Sequence, residues 1–315
     1  MTVNPVAVDV DPVKVDLGTP SSAVGIAGGH PLVTLRSRRR PRPFRWTLWA
    51  ARILLLISAG LVLVPVVYQF GLSVKPSAGL FSAPLSPLTW PPTAEHYAQV
   101  LEGLPLWRYT LNSLVFALGV TVGQLLLAVP AAYALSHLRP RWGPAVFGAV
   151  LISLMVPFVV TYLPNYLLLA RWGLLNTLPG LILPMLTAGY AIFLLRQHFL
   201  SFPREIIEAA LVDGATTGQR LWRVLLPAHR APVAALAVYL FISTWNQFVW
   251  PQLVAGRSES LTLTVAVQRF ASGEGGNAWG PLMAAATLAT LPTVLLYFFM
   301  RRALLDTFSE GAVKG

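Results

Sequence analysis

Cysteine is absent and charge is scarce: only 11% of the 315 residues are Asp, Glu, Lys or Arg, against a hydrophobic share of 55%. The first absence removes disulfides, thiolate metal ligands and cysteine nucleophiles from consideration. The second separates the chain from soluble domains, where about a quarter of residues are charged, and reads as an integral membrane protein. Lysine is rarer still. Lys14, Lys75 and Lys314 each follow valine, so the Gly-Lys-Ser/Thr core of a phosphate-binding loop is missing and any ATP must be hydrolysed by another polypeptide. HExxH and GxSxG patterns are also lacking, and the five histidines are scattered, which leaves no catalytic residue, metal site or cofactor site to assign.

What is present is a series of apolar runs of about the 20 residues needed to cross a bilayer, at 47–72, 110–136, 145–170, 178–199, 231–251 and 280–300. Asp, Glu, Lys, Arg and His are absent from 110–136, 145–170, 178–195, 231–251 and 280–300. Coupled secondary transport keeps ionisable groups in its spans, at a cost of about 2.5–3.5 kcal/mol each, and here it has nothing to protonate. The fold class expected is all-α, a polytopic membrane protein with six transmembrane helices; continuous runs argue against a β-barrel. Residues 1–45 are rich in Pro, Gly and Val, lack periodicity and end in RSRRRPRPFR, so they read as a disordered basic arm ahead of a permease-like domain at 46–315. The first run starts too late and is too long for a cleavable signal peptide.

Sidedness follows from charge. The connections on the side of both termini and of 196–230 hold seventeen Lys and Arg, and those on the opposite side hold five, with Arg52 inside the first run. That asymmetry places both termini and 196–230 in the cytoplasm. Trp46, Trp49, Trp107, Trp142, Trp172 and Trp279 stand near run ends, as an interfacial aromatic belt requires.

One stretch between the runs is polar. Residues 203–227 divide into two short amphipathic pieces: Ile206, Ile207, Ala210 and Leu211 share a face, and Leu221, Trp222, Leu225 and Leu226 repeat the spacing. Gly214 offers a stop, Thr216-x-x-Gln219 is a capping-box pattern and Pro227 closes the second piece. Each piece is about 15 Å long at 1.5 Å per residue, too short to span. Such a hairpin either rests on headgroups or docks into a cytoplasmic partner.

Glu208-Ala209-Ala210, Asp213-Gly214-Ala215 and Leu226-Pro227 resemble, in order and spacing, the EAA…DGA…LP loop of the permeases of binding-protein-dependent ABC importers. TLNSLVFALG, AAYALSHLRP, GLILPM, TWNQFVWP and the ending EGAVKG extend the similarity to the second, six-span permease of the carbohydrate branch, over about 47–315. The resemblance implies a coupling helix that docks into an ATP-binding subunit, with Glu208 making polar contacts, Ala209 and Ala210 permitting close approach and Gly214 giving the turn. It also implies that the tail Gly311, Ala312, Val313, Lys314 and Gly315 reaches between ATPase subunits, simple fraying being the other reading. The implied partners are a second permease in a heterodimer, two ATP-binding subunits carrying ATP and magnesium, and an extracytoplasmic solute-binding protein, in a bacterial inner membrane.

Asn246 and Gln247 in TWNQFVWP, with Trp245 beside them, combine amide and aromatic groups that suit a sugar or polyol; Tyr162 and Asn165, and more weakly Asn112, Gln124, Tyr166 and Tyr190, fall under the same argument. Interhelical amide bonding is the alternative for all of them, worth around 1 kcal/mol or less. TWNQFVWP followed by SGEGGNAWGPLMA is similar to glycerol-3-phosphate permeases. The solute expected is therefore carbohydrate in the broad sense, with glycerol phosphate or an oligosaccharide as options, and a passive channel or secondary transporter for a small polyol as the competing function.

Overall fold

The computed structural model describes residues 45–80, 91–271 and 278–312, and among them every regular element is helical. The chain divides into a unit Met1–Leu55 and a unit Leu56–Gly315. Of the first unit, the described part is the opening of helix α1 (Arg45–Ser73), where the Arg52 guanidinium lies 5.4 Å from the Trp49 ring centroid. An aromatic paired with a cation suits the headgroup level. The arm at 1–44 lies outside the described residues.

In the second unit the chain continues through α2 (Glu95–Gly103), α3 (Leu106–Tyr133), α4 (Gly143–Met155), α5 (Tyr162–Arg171), α6 (Leu178–Ile182) and α7 (Gly189–Leu200). Then follow α8 (Arg204–Val212), α9 (Thr217–Ala228), α10 (Arg230–Trp245), α11 (Val249–Val254), α12 (Leu263–Ala271) and α13 (Trp279–Ala312). Trp49–Ser73, Leu106–Leu138 and Trp279–Phe298 are long and apolar enough to cross a membrane as single helices. Three bent pairs pass the same test together, each a broken span or a re-entrant turn: α4 with Phe158–Arg171 at 89°, Leu178–Leu186 with α7 at 48°, and α9 with α10 at 82°. The chain is thus an all-helical, multi-pass membrane protein with three to six crossings.

The breaks have local causes. The run 145–170 is two helices because Val156 turns extended (φ −82°, ψ 111°), the conformation a residue before proline prefers, and Pro157 brings no amide to the ladder. The run 231–251 stops at Trp245: Asn246 Nδ2 donates back to the Ile242 carbonyl at 2.8 Å and a separate short helix follows. Pro65, Pro130 and Pro292, by contrast, sit inside continuous helices.

Helix α3 is the organising element. Ala128, Val129, Ala132 and Tyr133 pack with α7 and α10, Tyr109 and Ala117 with Phe241 and Trp245, and Phe116 and Val120 with Leu169, Leu181 and Trp250. A third of its apolar window (33%) is buried within the chain, against 0% for that of α1, and α1 is covered at its end, where Leu72 and Ser73 are buried and Gln69 donates to Thr287 Oγ1 at 3.4 Å. Lipid tails are as apolar as leucine, so helices associate through close approach and polar ties. Gly123 supplies the first, since a Cβ there would collide with the Leu186 side chain. Gln124 supplies the second, donating to the carbonyls of Met185 at 2.6 Å and Thr187 at 3.2 Å, next to the break before α7. Asn112 likewise donates to the carbonyls of Glu259 and Leu261 at 2.9 and 3.0 Å. Both amides thus make interhelical ties.

Candidate functional site

The polar hairpin is built from α8 and α9. Helix α8 ends through the amides of Gly214, bonded to the Leu211 carbonyl at 3.0 Å, and Ala215, bonded to Ala210 at 2.9 Å. This reversal requires φ +79° at Gly214, a left-handed conformation glycine adopts without a Cβ penalty. Two residues on, Thr216 opens α9 with a reciprocal capping box: its amide donates to Gln219 Oε1 at 2.8 Å and its Oγ1 accepts from the Gln219 amide at 3.3 Å. Arg220–Leu225 within α9 is wound as a π-helix.

Burial divides the hairpin. Ile207 (6% exposed), Leu221 (5%) and Leu225 (0%) join a cluster with Ala132, Tyr133, Leu195, Phe199 and Leu236. At about 1.5–3 kcal/mol per buried aliphatic side chain, these three fix the hairpin to the bundle. Ile206, Leu211 and Trp222, expected to share that inward face, are exposed, and Val212 is 87% exposed. The two short helices meet the bundle along one edge, so only the residues on that edge are covered. The outer surface carries Glu205, Glu208, Ala209, Asp213 and Gly214. Ala210, Asp213, Gly214 and Ala215 are brought together with Gln219, Arg223 and Val224 around a recess of ≈ 430 Å³. Leu226 and Pro227 line a second, apolar recess beside Arg230 and Val233.

The corner between α9 and α10 is His229. Its Nδ1 lies 3.0 Å from the Leu225 carbonyl oxygen and its Nε2 3.1 Å from that of His198, with the rings of Phe199 and Phe202 edge-on to it. The hairpin, the start of α10 and the end of α7 thus meet at one ring.

The amide and aromatic groups lie further along α10. Trp245 is buried, donates from Nε1 to the Ala289 carbonyl at 3.3 Å and stacks on Phe241, while its own carbonyl accepts from Thr264. Asn246 is exposed and Gln247 half-buried just beyond. Tyr162 stacks on Trp250 at 5.8 Å, which brings α5 against the TWNQFVWP segment, and Asn165 follows one turn later, half-buried. Trp250, which flanks the amides in TWNQFVWP, and Tyr239, which reading the sequence missed, complete this region. Trp250 is fully buried, with its indole N–H on the Leu181 carbonyl at 3.1 Å. Tyr239, a lone hydroxyl in the apolar run AVYLF, pairs with Tyr190 at 5.2 Å, both rings being exposed. Of the tail, Gly311 and Ala312 continue α13, and 313–315 lie outside the described residues, as does 272–277. No group of three metal-ligating side chains occurs among the described residues.

Comparison with known proteins bears on this geometry. Residues 124–308 match the family model described as binding-protein-dependent transport system inner membrane component. The sn-glycerol-3-phosphate transport system permease protein UgpE of Agrobacterium fabrum is 32% identical over 260 residues, covering 80% of this chain and 92% of that protein. The UgpE protein of Yersinia pestis is 30% identical over 257 residues, covering 79% and 92%. Among solved structures, a bacterial ABC transporter involved in the import of the acidic polysaccharide alginate superposes with a TM-score of 0.73 at 23% identity, over 83% of this chain and 99% of that one, a likeness of fold.

Proposed function

The chain belongs to the family of binding-protein-dependent transport system inner membrane components, and from that premise we propose that it is one of two permease subunits lining the pathway of an ATP-driven importer. The hairpin carries this reading: Ile207, Leu221 and Leu225 sink into the bundle while Glu208, Asp213 and Gly214 stay outside, and His229 joins the whole to α10. It is a knob without chemistry of its own. A cleft on an ATP-binding subunit grips Glu208, Ala209 and Ala210 and the turn at Asp213, Gly214 and Ala215, with Leu226 and Pro227 fixing its far end. Two such subunits hydrolyse ATP with magnesium, and this chain performs no catalysis. When they close, the hairpin moves as a body and the paired permeases rock between two arrangements, a two-state equilibrium biased by partner binding.

The excess of Lys and Arg puts the hairpin, the basic arm at 1–45 and the tail Gly311–Gly315 on the cytoplasmic side of the permease domain at 46–315, with the tail reaching toward the ATPase pair. An extracytoplasmic binding protein delivers the solute on the other face. The solute is of the carbohydrate class, with sn-glycerol 3-phosphate foremost because the relatives are named for it. Asn246 and Gln247, together with Tyr162 and Asn165, offer amides and a ring face for hydroxyls and carbon, whereas Trp245 is packed into the core and supports the segment rather than meeting solute. A phosphate calls for a cationic site, and charge recognition falls to the binding protein or the partner permease.

Uptake into proteoliposomes holding the complete complex tests this. ATP-dependent accumulation of labelled sn-glycerol 3-phosphate, abolished when the ATP-binding subunit is inactivated, is the expected result. Equilibration that persists without ATP hydrolysis would replace the importer with a passive pore.

A further inference from the structure

At the same end of the bundle as the hairpin, a cleft of ≈ 540 Å³ is lined by Arg139, Arg141 and Arg196 together with Leu135, Pro144 and Phe147. The chain holds no Asp or Glu between Glu102 and Glu205, so no acidic residue of that long segment offsets the three guanidinium groups. Two of the three are placed by the fold. Arg139 Nε donates to the Ser136 carbonyl at 3.1 Å and Arg196 Nε to that of Leu135 at 3.4 Å, while the Arg196 guanidinium lies 4.0 Å from the Phe147 ring centroid. Each of these hydrogen bonds engages one of five guanidinium donors.

Arg139 also occupies an expensive backbone conformation. Its φ of 46° and ψ of 58° place it in the left-handed region after a π-turn, where glycine or asparagine would be cheaper. Strain of this kind at a residue with a functional side chain points to a role for that side chain. The cleft's position says what it meets. The apolar span Leu106–Leu138 ends one residue before Arg139, α4 starts at Gly143, and Trp142 between them is exposed, which is where headgroups begin. Below the cations the walls are hydrocarbon.

We infer that this cleft binds the phosphate of an anionic phospholipid headgroup in the cytoplasmic leaflet, the leaflet resting on the sidedness given above. Arg139 and Arg196 hold the phosphate oxygens as forked donors, Arg141 adds charge from the exposed rim, and the glycerol and first acyl carbons lie against Pro144 and Phe147. The lipid thereby braces the α3–α4 connection against α7, next to the hairpin's own anchor.

Native mass spectrometry of the purified transporter, titrated with phosphatidylglycerol and with phosphatidylcholine of the same acyl chains, tests the site apart from any transport. The intact protein is expected to prefer phosphatidylglycerol, and Arg139→Gly and Arg141→Gln each to weaken its binding by about five-fold, the effect of one cation at the surface. Phosphatidylcholine binding stays unchanged. Arg139→Gly relieves the left-handed backbone and is expected to melt no lower than the parent, which separates lost binding from lost folding. Equal binding of the two lipids, an undiminished preference in both variants, or full displacement by millimolar inorganic phosphate would each overturn the lipid site, while leaving the importer reading untouched.

Discussion

His229 ties the end of one membrane helix to the start of another: its Nε2 lies 3.1 Å from the carbonyl oxygen of His198 at the end of α7, while its Nδ1 faces Leu225 at 3.0 Å. A neutral ring carries one N–H and donates to one of these carbonyls at a time. His229→Ala removes the link, while the Leu225 carbonyl keeps the amide of residue 229 and the His198 carbonyl keeps Ser201, so the cost is that of one lost hydrogen bond, about 0.5–1.5 kcal/mol. The complex carrying it is expected to keep hydrolysing ATP while uptake falls, measured as transport per ATP.

Gly214 has φ +79° and open space around it, so substitution there costs backbone strain rather than a clash. Gly214→Asn is expected to be mild, Gly214→Ala to lose about 1–2 kcal/mol, and Gly214→Val more. Uptake should fall in the same order with membrane insertion retained, as judged by immunoblot of the membrane fraction.

Burial separates anchoring from docking. Leu225→Ala empties a fully enclosed site and is expected to destabilise by about 2–5 kcal/mol. Leu211→Ala and Val212→Ala, on the exposed outer surface, should leave the melting temperature alone and weaken retention of the ATP-binding subunit during purification. Thermal denaturation and co-purification read the two effects independently.

On the opposite face, Gly280 abuts the buried His96 ring, whose Nε2 lies 2.8 Å from the Lys75 carbonyl oxygen, so a Cβ at 280 would run into the imidazole. Gly280→Ala is expected to cost about 1–3 kcal/mol. Adding His96→Ala should recover part of that loss, a coupling visible in a double-mutant cycle.

Trp245 and Asn246 are adjacent in sequence and differ in role. Trp245→Ala opens a core void and is expected to cost about 3–5 kcal/mol and reduce the amount of inserted protein. Asn246→Ala, exposed at the helix end, should preserve stability and alter the concentration dependence of uptake.

The sequence spelled out the hairpin because its signals are local: a glycine where φ turns positive and a Thr/Gln pair one helical turn apart act within a few residues. The apolar runs were equally legible as lengths, yet their breaks at Pro157 and Asn246 were not, because a proline within a run is compatible both with a continuous helix, as at Pro65 and Pro292, and with an 89° bend. Which occurs depends on neighbours such as Gln124 that satisfy the freed carbonyls. Inward and outward residues of α8 and α9 were only half readable for a related reason. Ile207 and Ile206 are chemically alike, and only the meeting edge with α3 and α7 decides that one is covered. Trp245 looked like a pathway residue by type, and its hydrogen bond to Ala289 across the bundle is a long-range fact.

Since the chain has no cysteine, Glu208→Cys introduces a single reactive thiol at the outer surface of the hairpin. Site-directed cross-linking of that variant in membranes containing the whole complex is the most direct examination of the coupling claim. A covalent adduct with the ATP-binding subunit, whose yield changes between nucleotide-free and ATP-bound states, is the predicted result. Labelling of the thiol by a membrane-impermeant maleimide added outside intact cells, with no adduct to any nucleotide-hydrolysing subunit, would contradict it.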